Sequence, residues 1–79
     1  MNADEFAAAL YVYCRRRPFR RFMIEFTSGV QAEVKHPEAI RRRGLFYVFR
    51  GTDGGYSVFV PESVARFLDV PTNAPAASS

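Results

Sequence analysis

Residues 20–35, RRFMIEFTSGVQAEVK, constrain the fold most, because apolar and polar side chains alternate there on both sides of a short break. Alternation with a period of two around a break that contains glycine is typical of a β-hairpin. Residues 27–29 have the length of a loop that closes with a residue at positive φ, and Gly29 fits that position. One register then places the apolar side chains on a single face, in the pairs Phe22–Val34, Ile24–Ala32 and Phe26–Val30.

A helix is expected before this hairpin, over residues 3–16. Asn2 or Asp4 can cap its start, and Pro18 forces it to end near Arg16 or Arg17. Its apolar side chains recur at the spacing of one helical face, which predicts that this face packs on the strands. The face consists of Phe6, Leu10, Tyr13 and Cys14.

Two proline-containing segments follow the hairpin. Pro37 cannot donate to a strand ladder, so the second strand should stop at or before His36, and one helical turn can begin there. Residues 41–44, RRRG, are predicted to form a basic turn. The lone His36 is interpreted as a turn histidine, because the chain has no second histidine and no cysteine at ligand spacing from it.

A second hairpin is predicted from residues 45–50 and 56–60, with Asp53 and Gly54 as its turn signal. Both strands are apolar on both faces, which is typical of strands that are covered on two sides. The helix should supply one cover, and a curled sheet or a partner chain the other. Residues 64–70 fit a helix or a strand, and a strand is preferred because β-branched residues stand at both ends.

The expected fold is therefore α+β, with residues 1–70 as a single domain. An N-terminal helix packs on a strongly bent antiparallel meander of about five strands, in the manner of a small barrel. Residues 71–79, PTNAPAASS, have little to bury and are expected to form a flexible tail.

Several functions are disfavoured by what the sequence contains. No apolar run is long enough to cross a bilayer, the N-terminal residues do not resemble a signal peptide, and the single Cys14 suits a reducing compartment. We therefore expect a cytoplasmic protein that does not act at membranes. Because no nucleophile has a partner histidine and no metal or phosphate-binding motif is present, we predict no catalytic residue, cofactor, metal or small-molecule substrate.

Arginine makes up ten of the eleven basic residues, and the net charge is +3. Guanidinium groups suit phosphate or carboxylate recognition, since each donates two parallel hydrogen bonds. Clustered arginines therefore indicate contacts to nucleic acid or to an acidic protein, with solvated turns as the alternative interpretation. The candidate contacts are Arg15, Arg16, Arg17, Arg20, Arg21, Arg41, Arg42 and Arg43.

The doubly apolar strands of the second hairpin favour self-association. A small domain with exposed strand edges must protect or pair them, and closed homo-oligomers are a common solution. Tyr56 and Phe59 are the candidate self-association residues. The predicted function is a non-enzymatic interaction module that self-associates; the alternative is a domain that binds RNA or single-stranded DNA through its arginines.

Two resemblances accompany these predictions. An R-P-F-x-x-F motif at residues 17–22, the glycine of the turn and a V-x-H-P-E motif at residues 34–38 resemble a group of short uncharacterised bacterial proteins with no settled activity. The predicted architecture is similar to Sm-like and SH3-like small barrels. Gly44 and Leu45 follow Arg43 where the Sm family carries an RNA pocket motif with Asp or Asn. The resemblance thus implies a fold, without uridine-type RNA recognition.

Overall fold

One helix and six strands make up residues 1–51 and 53–70, the part of the chain that the computed structural model describes. The strands form two antiparallel sheets of three strands, which are not closed into a barrel. Sheet 1 has the order β2-β1-β6 and sheet 2 the order β3-β4-β5. The predicted α+β class is confirmed, with six strands in place of about five. The elements are α1 (Ala3–Cys14), β1 (Phe22–Phe26), β2 (Gln31–Val34), β3 (Ile40–Arg43), β4 (Phe46–Arg50), β5 (Tyr56–Phe59) and β6 (Val64–Asp69).

The first hairpin, β1–β2, has the predicted register. Phe22 pairs with Val34 and Ile24 with Ala32. The Phe26 N–H donates to the Val30 carbonyl at 2.8 Å, and Gly29 closes the loop with φ +93°. Because the register places the apolar residues on one face, the side chains of Phe22, Ile24 and Val34 are fully buried.

Strand β3 occupies residues where a basic turn was predicted, and that prediction was wrong. Arg43 pairs with Phe46, so the turn is reduced to Gly44 and Leu45. Gly44 has φ +64° at the first loop position, which is where two-residue hairpin loops of type II′ place glycine. Three consecutive arginines show no alternation of polarity, so pairing with β4 and burial of Ile40 define this strand instead.

Helix α1 begins with a reciprocal pair of hydrogen bonds between Asn2 and Glu5. The Glu5 N–H donates to Asn2 Oδ1 at 2.7 Å, and the Asn2 N–H donates to Glu5 Oε1 at 3.0 Å. The helix ends at Cys14, two residues before the predicted end. The predicted apolar face is confirmed, since Phe6 is fully buried and the other three members pack against the core.

Phe6 joins the two sheets. Its ring centroid lies 4.7 Å from that of Tyr47 in sheet 2 and 5.4 Å from that of Phe67 in sheet 1. Aromatic pairs at these separations add a favourable interaction beyond the area they bury, and the Phe6–Tyr47 pair has edge-to-face geometry. Helix α1 therefore supplies the cover that was predicted for the inner face of β4 and β5.

The last described segment is β6, which confirms the strand preferred for residues 64–70. A short 3₁₀ turn, Pro61–Ser63, precedes it, and β6 then pairs with β1. The predicted flexible tail, residues 71–79, lies outside the described residues. No helix in residues 1–51 and 53–70 combines the length and hydropathy needed to cross a membrane.

Candidate interaction surfaces

Sheet 2 has one face in the core and one face open to solvent. Tyr47, Phe49 and Phe59 point inward, where the first two are buried and Phe59 is half-buried. Successive strand residues point to opposite faces, so their neighbours lie on the other side of the sheet. We call that side the outer face of sheet 2. It carries Arg41, Arg43, Phe46, Val48, Arg50, Tyr56 and Val58.

Sheet 1 presents a contrasting outer face, on which the charges are paired. Arg66 donates to Glu25, and Arg21 Nη1 lies 2.9 Å from Glu33 Oε2. The hydrogen bond from Arg66 holds the pKa of Glu25 below its ordinary value, and Gln31 adds a further donor. Glu25 and Glu33 are thus both members of surface ion pairs.

The arginines of the outer face of sheet 2 have no such partners in residues 1–51 and 53–70. Arg41, Arg43 and Arg50 line a shallow cavity of about 330 Å³ together with Val48 and Tyr56. None of the three forms an ion pair with another described residue. Glu38 supplies the one carboxylate in the lining. This cavity is therefore cationic, with an aromatic side chain at its border.

The other candidate arginines lie elsewhere. Arg42 is on the opposite face of β3, where its Nε donates to the Gly44 carbonyl at 3.1 Å and its side chain lines a groove beside α1 with Arg15. Arg21 is paired with Glu33, while Arg17 and Arg20 are exposed in the loop before β1. The eight arginines therefore divide among separate environments instead of forming one patch.

Arg16 is held in place by contacts with other residues of the domain. Its Nη1 lies 2.7 Å from Asp69 Oδ1, its Nη2 donates to the Arg20 carbonyl at 3.0 Å, and its guanidinium stands 4.6 Å from the centre of the Tyr13 ring. The side chain is 18% exposed. These contacts tie the end of α1 to the end of β6, which leaves little of Arg16 to meet a ligand.

Arg50 and Val58 belong to the outer face of sheet 2, and sequence reasoning did not single them out. Arg50 stands alone in the sequence, outside both arginine clusters. The signal that could have found it is the strand alternation, which places residues 46, 48 and 50 on one face. The same alternation groups Val58 with Tyr56.

Strand β5 is an edge of sheet 2, and some of its backbone groups have no partner among the described residues. The Gly51 N–H donates to the Gly55 carbonyl at 2.8 Å, which makes these residues a hydrogen-bonded pair. Hydrogen-bonded and non-hydrogen-bonded pairs alternate along an antiparallel ladder. The register therefore directs the Ser57 and Phe59 backbone groups at β4, and those of Tyr56 and Val58 outward.

Among the four edge strands, β5 alone carries no charged residue. Its sequence is YSVF, whereas β2 contains Glu33, β3 is IRRR, and β6 contains Arg66 and Asp69. Charges, prolines and bulges are the usual protection of an edge strand, and the β4–β5 ladder has a regular register. Strand β5 is therefore the least protected edge of the described domain.

The two candidate self-association residues have different positions. Tyr56 is 71% exposed on the outer face of sheet 2. Phe59 is half-buried, and its ring lies 5.2 Å from that of Phe26 and 5.6 Å from that of Phe6. Phe59 consequently packs in the core. Val58 is 63% exposed on the edge strand and therefore replaces Phe59 as the candidate self-association residue beside Tyr56.

The groups with catalytic potential are Cys14 and His36, and the Cys14 Sγ lies 4.0 Å from the carbonyl oxygen of Pro37, the residue after His36. Burial raises the pKa of the Cys14 thiol, which favours the less nucleophilic protonated form. His36 is exposed at the turn before β3. In the described ranges, no three His, Cys, Asp or Glu side chains are grouped in a way that could hold a metal ion.

Comparison with protein-family models, with curated proteins and with solved structures gives no match for this chain. Function must therefore be inferred from the outer face of sheet 2 and from the edge of β5.

Proposed function

We propose that this domain is a non-enzymatic interaction module that self-associates through the free edge of β5. The observation that carries the proposal is the uncharged edge strand, whose Tyr56 and Val58 backbone groups point away from β4. Unpaired N–H and C=O groups in a row form a template for another strand. An edge of a second copy satisfies them, and the exposed side chains of Tyr56 and Val58 add apolar contact.

The finer features of the fold support the same interpretation. We propose that the two sheets are an open form of the small-barrel architecture, because β6 returns to pair with β1 and Phe6 bridges the sheets. We also propose kinship with the group of short bacterial proteins that share the R-P-F-x-x-F and V-x-H-P-E motifs. Phe22 of the first motif and Val34 of the second are fully buried and pair with each other, so both motifs contain residues that stabilise the β1–β2 hairpin.

Sedimentation velocity over a wide range of protein concentration tests self-association. The wild-type chain should sediment as a dimer or a larger species that dissociates on dilution. Val58→Lys should yield a monomer, because a lysine on an edge strand blocks strand pairing. Val12→Lys is the matched control, since Val12 is 60% exposed but lies on α1 instead of on an edge strand.

A wild-type chain that stays monomeric at every concentration would refute the proposal. So would a Val58→Lys variant that assembles as the wild type does. Far-UV circular dichroism of both variants should match that of the wild type, because each position is solvent-exposed.

A second candidate function, binding of nucleic acid through arginines, is favoured by a separate observation. Arg41, Arg43 and Arg50 converge on one cavity and have no ion-pair partner among the described residues. Phosphate contacts by arginine supply affinity for any nucleic acid sequence. Edge pairing by β5 and ligand binding by these arginines use different groups, so the two functions are compatible.

A further inference from the structure

We infer that the outer face of sheet 2 binds single-stranded nucleic acid, with phosphates on Arg43, Arg41 and Arg50 and a base stacked on Tyr56. The inference rests on the second candidate function and specifies its surface and its ligand. It does not require self-association, because its three arginines lie on β3 and β4 and not on the edge strand β5. Tyr56 is the one residue that both proposals use.

The spacing of the three arginines suits a ligand with regularly repeated charges. Arg41 and Arg43 are two residues apart on β3, which places them about 7 Å from each other. Arg41 is directly opposite Val48, so Arg50 is its diagonal neighbour on β4, again about 7–8 Å away. The three arginine positions thus form an evenly spaced row along the strands, and a polyanion with one charge per unit matches such a row.

Aromatic side chains stand at both ends of this row. Phe46 pairs with Arg43, and Tyr56 pairs with Arg50. Both rings are exposed, and neither contacts another aromatic ring of the described chain. Exposed rings beside a cationic track are the means by which proteins hold unpaired bases without sequence preference.

The exposed rings of Phe46 and Tyr56 indicate which kind of polyanion fits the outer face of sheet 2. An acidic peptide would pair with the arginines but would leave Tyr56 and Phe46 without a stacking partner. A duplex would offer phosphates while keeping its bases stacked inside. A single strand offers a phosphate and an open base in every unit, so it engages both features of the outer face of sheet 2.

Fluorescence anisotropy with labelled mixed-sequence DNA and RNA single strands, titrated at several salt concentrations, tests the site. Log affinity should fall with log salt at a slope of about −2, which corresponds to about three phosphates on a single strand. The triple variant R41A/R43A/R50A should abolish binding. Arg42→Ala, on the opposite face of the same strand, should retain the wild-type affinity and slope.

A separate variant and control measure how much base stacking on Tyr56 contributes to single-strand affinity. Tyr56→Ala should weaken single-strand affinity by about fivefold or more, without changing the salt slope. Tyr11→Ala removes a ring that is 63% exposed on α1 and should leave affinity unchanged. If the triple variant does not fold, each single arginine variant should reduce the slope by about 0.7.

The possible outcomes distinguish an error in the proposed site from an error in the second candidate function. Absence of any binding by the wild type would overturn both the site and the second candidate function. If Arg42→Ala lost as much affinity as the triple variant, or if Tyr56→Ala left the affinity unchanged, the proposed site would be wrong. Nucleic-acid binding by another surface would remain the conclusion in that case. Equal affinity for duplex, or complete competition by polyglutamate at equal charge, would overturn the single-strand assignment. Sedimentation of the same samples reports independently on edge pairing.

Discussion

Individual residues with special backbone geometry fix the turns of this domain. Gly29 has φ +93°, and a Cβ built there meets no atom within 4 Å. The cost of a larger residue at this position is therefore conformational, since nothing would clash with the side chain itself. A loop of this type requires the left-handed region that β-branched residues avoid.

Gly29→Val should accordingly lower the free energy of unfolding by roughly 1–3 kcal/mol. Gly29→Asn is the control, because asparagine tolerates the left-handed region, and it should cost clearly less. Urea denaturation of the three proteins measures the difference. A valine variant as stable as the wild type would show that the turn does not need positive φ at residue 29.

Residue chemistry alone did not reveal how the arginines are distributed. Ten arginines were visible in the sequence, yet their partners depend on contacts between distant segments. Arg16 is held by Asp69, which is 53 residues away, and Arg66 pairs with Glu25 across 41 residues. Strand alternation, once β3 was known, would have separated Arg42 from Arg41 and Arg43.

At the scale of elements, the sequence predicted each unit that has its own periodic signal. Helix α1, the first hairpin, β4, β5 and β6 were expected, and their ends differ from expectation by two residues or fewer. Strand β3 was missed, because IRRR carries no alternation and is defined by its neighbour β4. Pairing between β1 and β6 is also non-local, and no local pattern encodes it.

The pairing of β1 with β6 predicts a dependence of stability on pH. Arg66 lowers the pKa of Glu25 below its ordinary 4.5, so the folded chain releases this proton more readily than the unfolded chain. The ion pair therefore stabilises the fold above the unfolded pKa, and this contribution is lost as pH falls through the lower folded value. Glu25→Gln should make the free energy of unfolding less sensitive to acidification in that window.

Urea denaturation at a series of pH values from neutral to strongly acidic measures this effect. Glu62→Gln serves as the control, because Glu62 is exposed and forms no ion pair with another described residue. Its stability profile should parallel that of the wild type. A Glu25→Gln profile that also parallels the wild type would show that the β1–β6 ion pair does not contribute.

At the scale of the whole molecule, the two sheets share one core but present different outer faces. Sheet 1 pairs its charges, whereas sheet 2 exposes three arginines without ion-pair partners, together with apolar side chains, in the described part of the chain. The sequence predicted a cover on each face of β4 and β5, whereas the outer face of sheet 2 is open to solvent in the described part of the chain. The sequence could not show which face α1 covers, because that depends on how Phe6 packs between the sheets.

The edge of β5 can be observed directly by amide hydrogen exchange, resolved by residue with NMR, at low and high protein concentration. In the dilute monomer, the Ser57 and Phe59 amides should be protected, because the register directs them at β4, while those of Tyr56 and Val58 should exchange rapidly. At concentrations where the chain associates, we predict that the Tyr56 and Val58 amides become protected as a second copy pairs with them. Rapid exchange of both amides in the associated protein would contradict self-association through β5.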